Sequence, residues 1–131
     1  MKAKKLSLGI VGGGSNSWIG HVHRISSRFD DRYEVVAGVF SRNSKLSIKF
    51  GRNLGISKER CYPNYKEMAL KEAKRVDCIN VVSIMTPPGS HQIIAETFID
   101  KDINVISDKP FAGNLDQAKK LYKKIKSNKK I

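Results

Sequence analysis

Apolar positions along this chain alternate between two periods. Leu6 to Val11 is a short continuous apolar run that ends in glycines, the pattern of a strand buried on both faces. From Ile19 the spacing changes, and Ile19, Val22, Ile25 and Phe29 fall on one helical stripe. Tyr33 to Phe40 is apolar and β-branched again, which predicts a second buried strand. Leu46, Phe50 and Leu54 then recur every four residues among polar ones, and Gly55 stands where that helix would stop.

The second half repeats the alternation. A short strand is expected before Pro63, and Asn64 with Glu67 forms a capping-box pattern that opens a helix to about Lys74. Cys78 to Met85 predicts another buried strand, ended by Thr86-Pro87-Pro88-Gly89. A helix over 90–100 turns Ile94 and Phe98 inward, and Ile103 to Ile106 reads as a short strand. Asn114 and Gln117 open a last helix whose inner face carries Leu115, Ala118, Leu121 or Tyr122, and Ile125. Buried strands alternating with amphipathic helices predict an α/β fold with a doubly wound parallel sheet.

Composition narrows the classes. The 131 residues suit one domain, and 40% hydrophobic with 28% charged residues suits a folded chain rather than a disordered one. No apolar run approaches the ~18–20 residues of a membrane span. The basic start Met1-Lys2-Ala3-Lys4-Lys5 is followed by too short an apolar run for a signal peptide, so the expected location is the cytoplasm. Cys61 and Cys78 lack metal-ligand spacing and read as small buried hydrophobes in a reducing compartment.

The net charge of +13 raises the question of nucleic acid. The lysines are dispersed, however, and no aromatics interleave with them as a single-strand-binding surface requires. The dense stretch from Lys119 to Lys130 reads as a solvated helix face, so no specific nucleic-acid partner is expected. His21 and His23 sit at i and i+2, about 200° apart on a helix, and no metal site is expected there.

The candidate chemistry begins after the first strand. Gly12-Gly13-Gly14-Ser15-Asn16-Ser17 matches the dinucleotide fingerprint G-x-G-x-x-G/A, with serine in the third place. Gly12 would make the tight turn, Gly14 would let the backbone approach a pyrophosphate, and Ser17 would pack helix on strand. Trp18 and Ile19 open the helix beside the cofactor, although core packing is an equal reading for Trp18. The second strand ends at Phe40-Ser41-Arg42-Asn43 without the carboxylate that would hold ribose hydroxyls. Ser41 and Arg42 offer donors to a 2′-phosphate instead, which favours NADP over NAD; the plain alternative for Arg42 is an ordinary surface arginine.

Two strings at later strand ends, Thr86-Pro87-Pro88-Gly89-Ser90-His91 and Asp108-Lys109-Pro110, carry a family resemblance. With the glycine fingerprint, IGHVHR from Ile19, AGVFSR ending at Arg42 and YKEM from Tyr65, the chain resembles the Gfo/Idh/MocA family of glucose–fructose oxidoreductase and inositol dehydrogenase. Relatives read TPN-x-x-H and EKP, so Pro88 replaces an asparagine and Asp108 a glutamate. The resemblance implies a Rossmann domain for nicotinamide cofactors in which Thr86, Pro87, His91, Asp108 and Pro110 surround the cofactor. It makes Lys109 the catalytic candidate, a cation beside the nicotinamide and the substrate.

It further implies that residues 1–131 are the cofactor domain alone, ending before the sixth strand. The second domain, which supplies a catalytic histidine and most contacts to a sugar or polyol, is then absent. Such a fragment is expected to be inactive by itself and to self-associate through its uncovered fifth strand. A non-catalytic nucleotide-binding regulatory or interaction module is the alternative.

Overall fold

A computed structural model describes residues 4–128, so Met1-Lys2-Ala3 and the Lys129-Lys130 end of the lysine stretch lie outside the described residues. The elements run β1 (Leu6–Gly12), α1 (Trp18–Ser26), β2 (Tyr33–Val39), α2 (Ser44–Asn53), α3 (Tyr65–Glu72), β3 (Val81–Met85), α4 (His91–Ile99), β4 (Asn104–Ser107) and α5 (Leu115–Ser127). All the strand pairs are parallel, in the order β2-β1-β3-β4. The chain therefore steps outward from β1 to β2, then crosses back over β1 to β3. Such reversals place a crevice at the carboxyl ends of β1 and β3.

Each face of the sheet has its own core. Leu8, Ile10, Phe40, Val81 and Met85 pack under α1 and α2 through Ile19, Ile48 and Phe50. Val11, Val39, Val82 and Ile84 pack under α3, α4 and α5 through Met68, Ile94, Phe98 and Leu121. The caps expected at Asn64 and Asn114 form, their side chains accepting from the amides of Glu67 and Gln117, and Asn43, not singled out from the sequence, accepts in the same way from Leu46. The lysines of α5 are exposed or half-exposed, and Lys124 pairs with Asp100 on α4.

Several expected features differ. The short strand before Pro63 is reduced to a single bridge between Cys61 and Gly38. Phe29 lies beyond the end of α1 and is 86% exposed. Leu115 and Tyr122 face solvent, while Leu121 and Ile125 carry the apolar contact of α5 with the body. Helical periodicity fixes a stripe, but not how much of it a neighbour covers.

One buried polar feature has no counterpart in the expected pattern. Glu72, fully buried, accepts from Arg60 Nε at 3.0 Å and Nη2 at 2.7 Å, from Tyr62 Oη at 2.7 Å and from the Ile79 amide at 3.3 Å. The carboxylate thus has a donor for each lone-pair direction, the condition under which a charge tolerates burial. Cys61 and Cys78 are free thiols, and burial pushes both of their pKa values up.

Candidate functional site

The crevice begins with the turn out of β1. Gly12 and Gly13 have φ of +93° and +66°, a conformation other residues reach only with strain. Ser17 then caps α1, accepting from the Gly20 amide at 3.1 Å. The close helix-to-turn packing expected of Ser17 falls to Gly20 instead, where a Cβ would stand 2.4 Å from the Gly13 Cα. Arg24, one turn further along α1, donates to the Gly13 carbonyl and lies over the Phe50 ring. Burial, then nearby Arg28, lowers the pKa of its guanidinium from the ordinary value.

The end of β2 forms the next wall. Ser47 on α2 donates to the Tyr62 carbonyl and accepts from the Phe40 amide, which fixes where the strand stops. Ser41 accepts from the Asn43 amide at 3.1 Å, and Arg42 projects from the same turn into solvent. A groove of about 710 Å³ runs between these walls, within the ~300–1,000 Å³ of small-molecule sites. Gly12, Ser17, Ser41, Arg42, Thr86 and Pro87 all line it. It shares Ser41, Arg42 and Pro87 with a second hollow of about 890 Å³, which adds Gly14, Lys49 and Asn53. Neither hollow has an aspartate or glutamate in its lining.

No local motif singles out Lys49. It lies on α2 and enters the site only because that helix folds back beside the glycine turn.

The remaining candidates stand apart from the groove lining. Trp18 is 78% exposed, which removes core packing as its role, while Ile19 packs half-buried under the sheet. Asp108, Lys109 and Pro110 follow β4, and the Lys109–Pro110 peptide is cis. The Asp108 amide donates to Ile84 at the end of β3, so this loop begins beside the crevice, with Lys109 exposed on it. Asp108 also comes within 3.9 Å of His23 Nε2, while His23 Nδ1 is 3.0 Å from Ser83 Oγ.

His91, expected along the cofactor, is 1% exposed behind the groove. Its ring reaches the carbonyls of Thr86 and Pro110. A histidine in a motif can serve the site from behind, and a motif string does not reveal which side of the loop it occupies.

The comparisons match this geometry. The model of an oxidoreductase family with an NAD-binding Rossmann fold, GFO_IDH_MocA, covers residues 6–131. The uncharacterised oxidoreductase YfiI of Bacillus subtilis is 43% identical over 109 residues, 82% of this chain and 28% of its own length. An oxidoreductase from Sinorhizobium meliloti is 43% identical with a TM-score of 0.91, covering 97% of this chain and 35% of that one. An inositol dehydrogenase homologue from Azotobacter vinelandii, solved with NADH and myo-inositol, is 35% identical with the same TM-score over 96% of this chain and 32% of that one. The chain thus spans about a third of the length of the relatives it matches. It belongs to the Gfo/Idh/MocA oxidoreductases, as a match to their NAD-binding Rossmann domain.

Proposed function

We propose that this chain binds a nicotinamide dinucleotide along the crevice, prefers the phosphorylated form, and serves an oxidoreductase acting on the CH–OH group of a sugar or polyol. The carrying observation is the lining at the end of β2: Ser41, Arg42 and Lys49 gather there with no carboxylate. A carboxylate in that place would accept from the ribose 2′-hydroxyl and repel a 2′-phosphate. Two cations and a hydroxyl attract the phosphate instead.

The glycine turn fits the group. Gly14 runs so near the Phe40 carbonyl that a Cβ would stand 2.4 Å from it, so the floor stays bare backbone where a pyrophosphate would lie against the start of α1. The bound nicotinamide supplies hydride transfer. Lys109, at the strand end next to the crevice, orients the substrate hydroxyl and stabilises negative charge as it develops on that oxygen. The polyol class rests on the myo-inositol held by the Azotobacter neighbour. The remaining two-thirds of such relatives supplies the rest of the substrate site, so the 131 residues alone turn over no sugar or polyol.

Calorimetric titration with NADP and NAD at two salt concentrations tests the cofactor reading, using the parent, Arg42→Ala and Lys49→Ala. A charge-assisted contact of roughly 1.5–3 kcal/mol corresponds to about ten- to a hundredfold in affinity, and the solvent exposure of Arg42 points to the lower end. Each variant should narrow the NADP-to-NAD ratio at both salts. Equal affinity for the two cofactors in the parent overturns the preference; an unchanged ratio in both variants overturns the residues assigned to it.

A further inference from the structure

We propose that His91 is a positioning residue that couples the cofactor-lining loop after β3 to the Lys109 loop after β4, so that occupancy of the first adjusts the second. The inference rests on the dinucleotide reading above. His91 opens α4 with its ring almost wholly buried. Nε2 lies 2.6 Å from the Thr86 carbonyl, and Nδ1 lies 2.8 Å from the Pro110 carbonyl. Thr86 and the adjoining Pro87 line the groove, whereas Pro110 directly follows Lys109. One side chain therefore spans the two loops that a ternary complex must bring into register.

Three details favour a coupling role over mere filling of space. Both ring nitrogens face backbone carbonyls, so movement of either loop is felt at the ring: the neutral imidazole donates to one carbonyl and packs against the other, and only the doubly protonated ring donates to both. The ring is buried, so its N–H needs an acceptor and the carbonyls of Thr86 and Pro110 are the ones in reach, which ties the ring to one arrangement of the loops. The groove side of the link is itself built: Ser90 Oγ lies 2.8 Å from Thr86 Oγ1 and 2.7 Å from the Pro87 carbonyl. A second bridge runs further out. Gln117 accepts from the Gly113 amide at 2.9 Å and donates to the Gly89 carbonyl at 3.4 Å, but it is longer and exposed.

ADP-ribose tests the coupling, because it lacks the nicotinamide ring that would lie beside Lys109. Titrated into the 15N-labelled chain, it should shift the amides of Phe111 and Ala112 as well as those of the Thr86 loop. In His91→Phe, which fills the space and makes neither bond, the Thr86-loop shifts should remain and those at Phe111 and Ala112 should vanish. Dissociation constants should rise no more than about tenfold. His91→Asn and His91→Gln, whose amides can donate to one of the carbonyls but lack the ring that touches both, should transmit less than the parent and more than His91→Phe. They also serve if His91→Phe does not fold. Gln117→Ala should transmit like the parent.

Shifts at Phe111 and Ala112 that survive in the folded His91 variants, or that vanish in Gln117→Ala instead, overturn the proposal and leave the cofactor reading intact. Failure of the parent to bind ADP-ribose at all overturns the cofactor reading, and the coupling with it.

Discussion

Arg24 holds the carbonyl of Gly13 from α1 at 2.5 Å, with its guanidinium 5.2 Å from the centre of the Phe50 ring. One side chain thereby joins the glycine turn, the first helix and the second. A turn with two residues at positive φ has little of its own to keep it in shape, and this carbonyl is fixed by a charged donor rather than by water.

Replacing Arg24 with Ala should therefore loosen the turn as well as cost stability. A hydrogen bond to a charged group and an exposed cation–π contact together amount to about 2 kcal/mol. Arg24→Ala should lower the midpoint of urea unfolding accordingly and weaken dinucleotide binding several-fold. Phe50→Leu keeps the Arg24–Gly13 bond and should weaken binding less, although the lost packing against Phe40 costs stability of its own. Unchanged binding in Arg24→Ala would mean that the turn keeps its shape without the clamp.

Much of the fold was legible because parallel strands must be apolar on both faces. Val81 to Met85 is wholly buried, and its run of apolar residues is unmistakable. The caps at Asn64 and Asn114 were legible because their bonds span a fixed three residues. Arg60 and Glu72 were not, since twelve residues separate them and charged residues on a sequence look solvated until a fold brings them together. Within the site, glycine spacing exposed the turn, but the residue that packs on it, Gly20, lies outside the fingerprint. Lys49 and the buried placement of His91 depend on how α2 and α4 meet the crevice, which no local pattern encodes.

The outer side of β4 has no strand partner among the described residues. Ile106 is 42% exposed and lines a hollow with Val22, Tyr33 and the polar His23, Ser26, Ser27 and Ser83, so an open edge adjoins a partly apolar hollow. Such edges template pairing between chains. Sedimentation velocity from low to high concentration should show this chain self-associating, and Ile106→Lys should weaken the association. A monomer throughout the range would overturn the prediction.

The buried carboxylate of Glu72 gives the last prediction, which concerns alkaline pH. Tyr62 donates its hydroxyl to Glu72 and is itself 2% exposed. Burial, and then the hydrogen bond to Glu72, raises the Tyr62 pKa above its ordinary value, since a phenolate there would be desolvated beside a carboxylate. In the unfolded chain the phenol titrates near its ordinary value of about 10. Above that pH the unfolded state releases a proton that the folded state keeps, so stability falls as pH rises; below it the contribution is fully present. Tyr62→Phe abolishes this titration and removes one of four donors to Glu72, at a cost of about 1 kcal/mol near neutrality. The parent's advantage should stay level up to pH ~10 and then shrink by at most about 1.4 kcal/mol per pH unit. Every other group is common to both proteins, so the difference isolates the tyrosine. Glu72→Ala, which leaves Arg60 with its bonds to Asp77 alone, should cost about 3 kcal/mol. Urea unfolding of parent and Tyr62→Phe at several pH values across this range measures the difference directly. A gap that does not narrow at alkaline pH would show that the Tyr62 phenol is no harder to ionise in the folded protein than in the unfolded one.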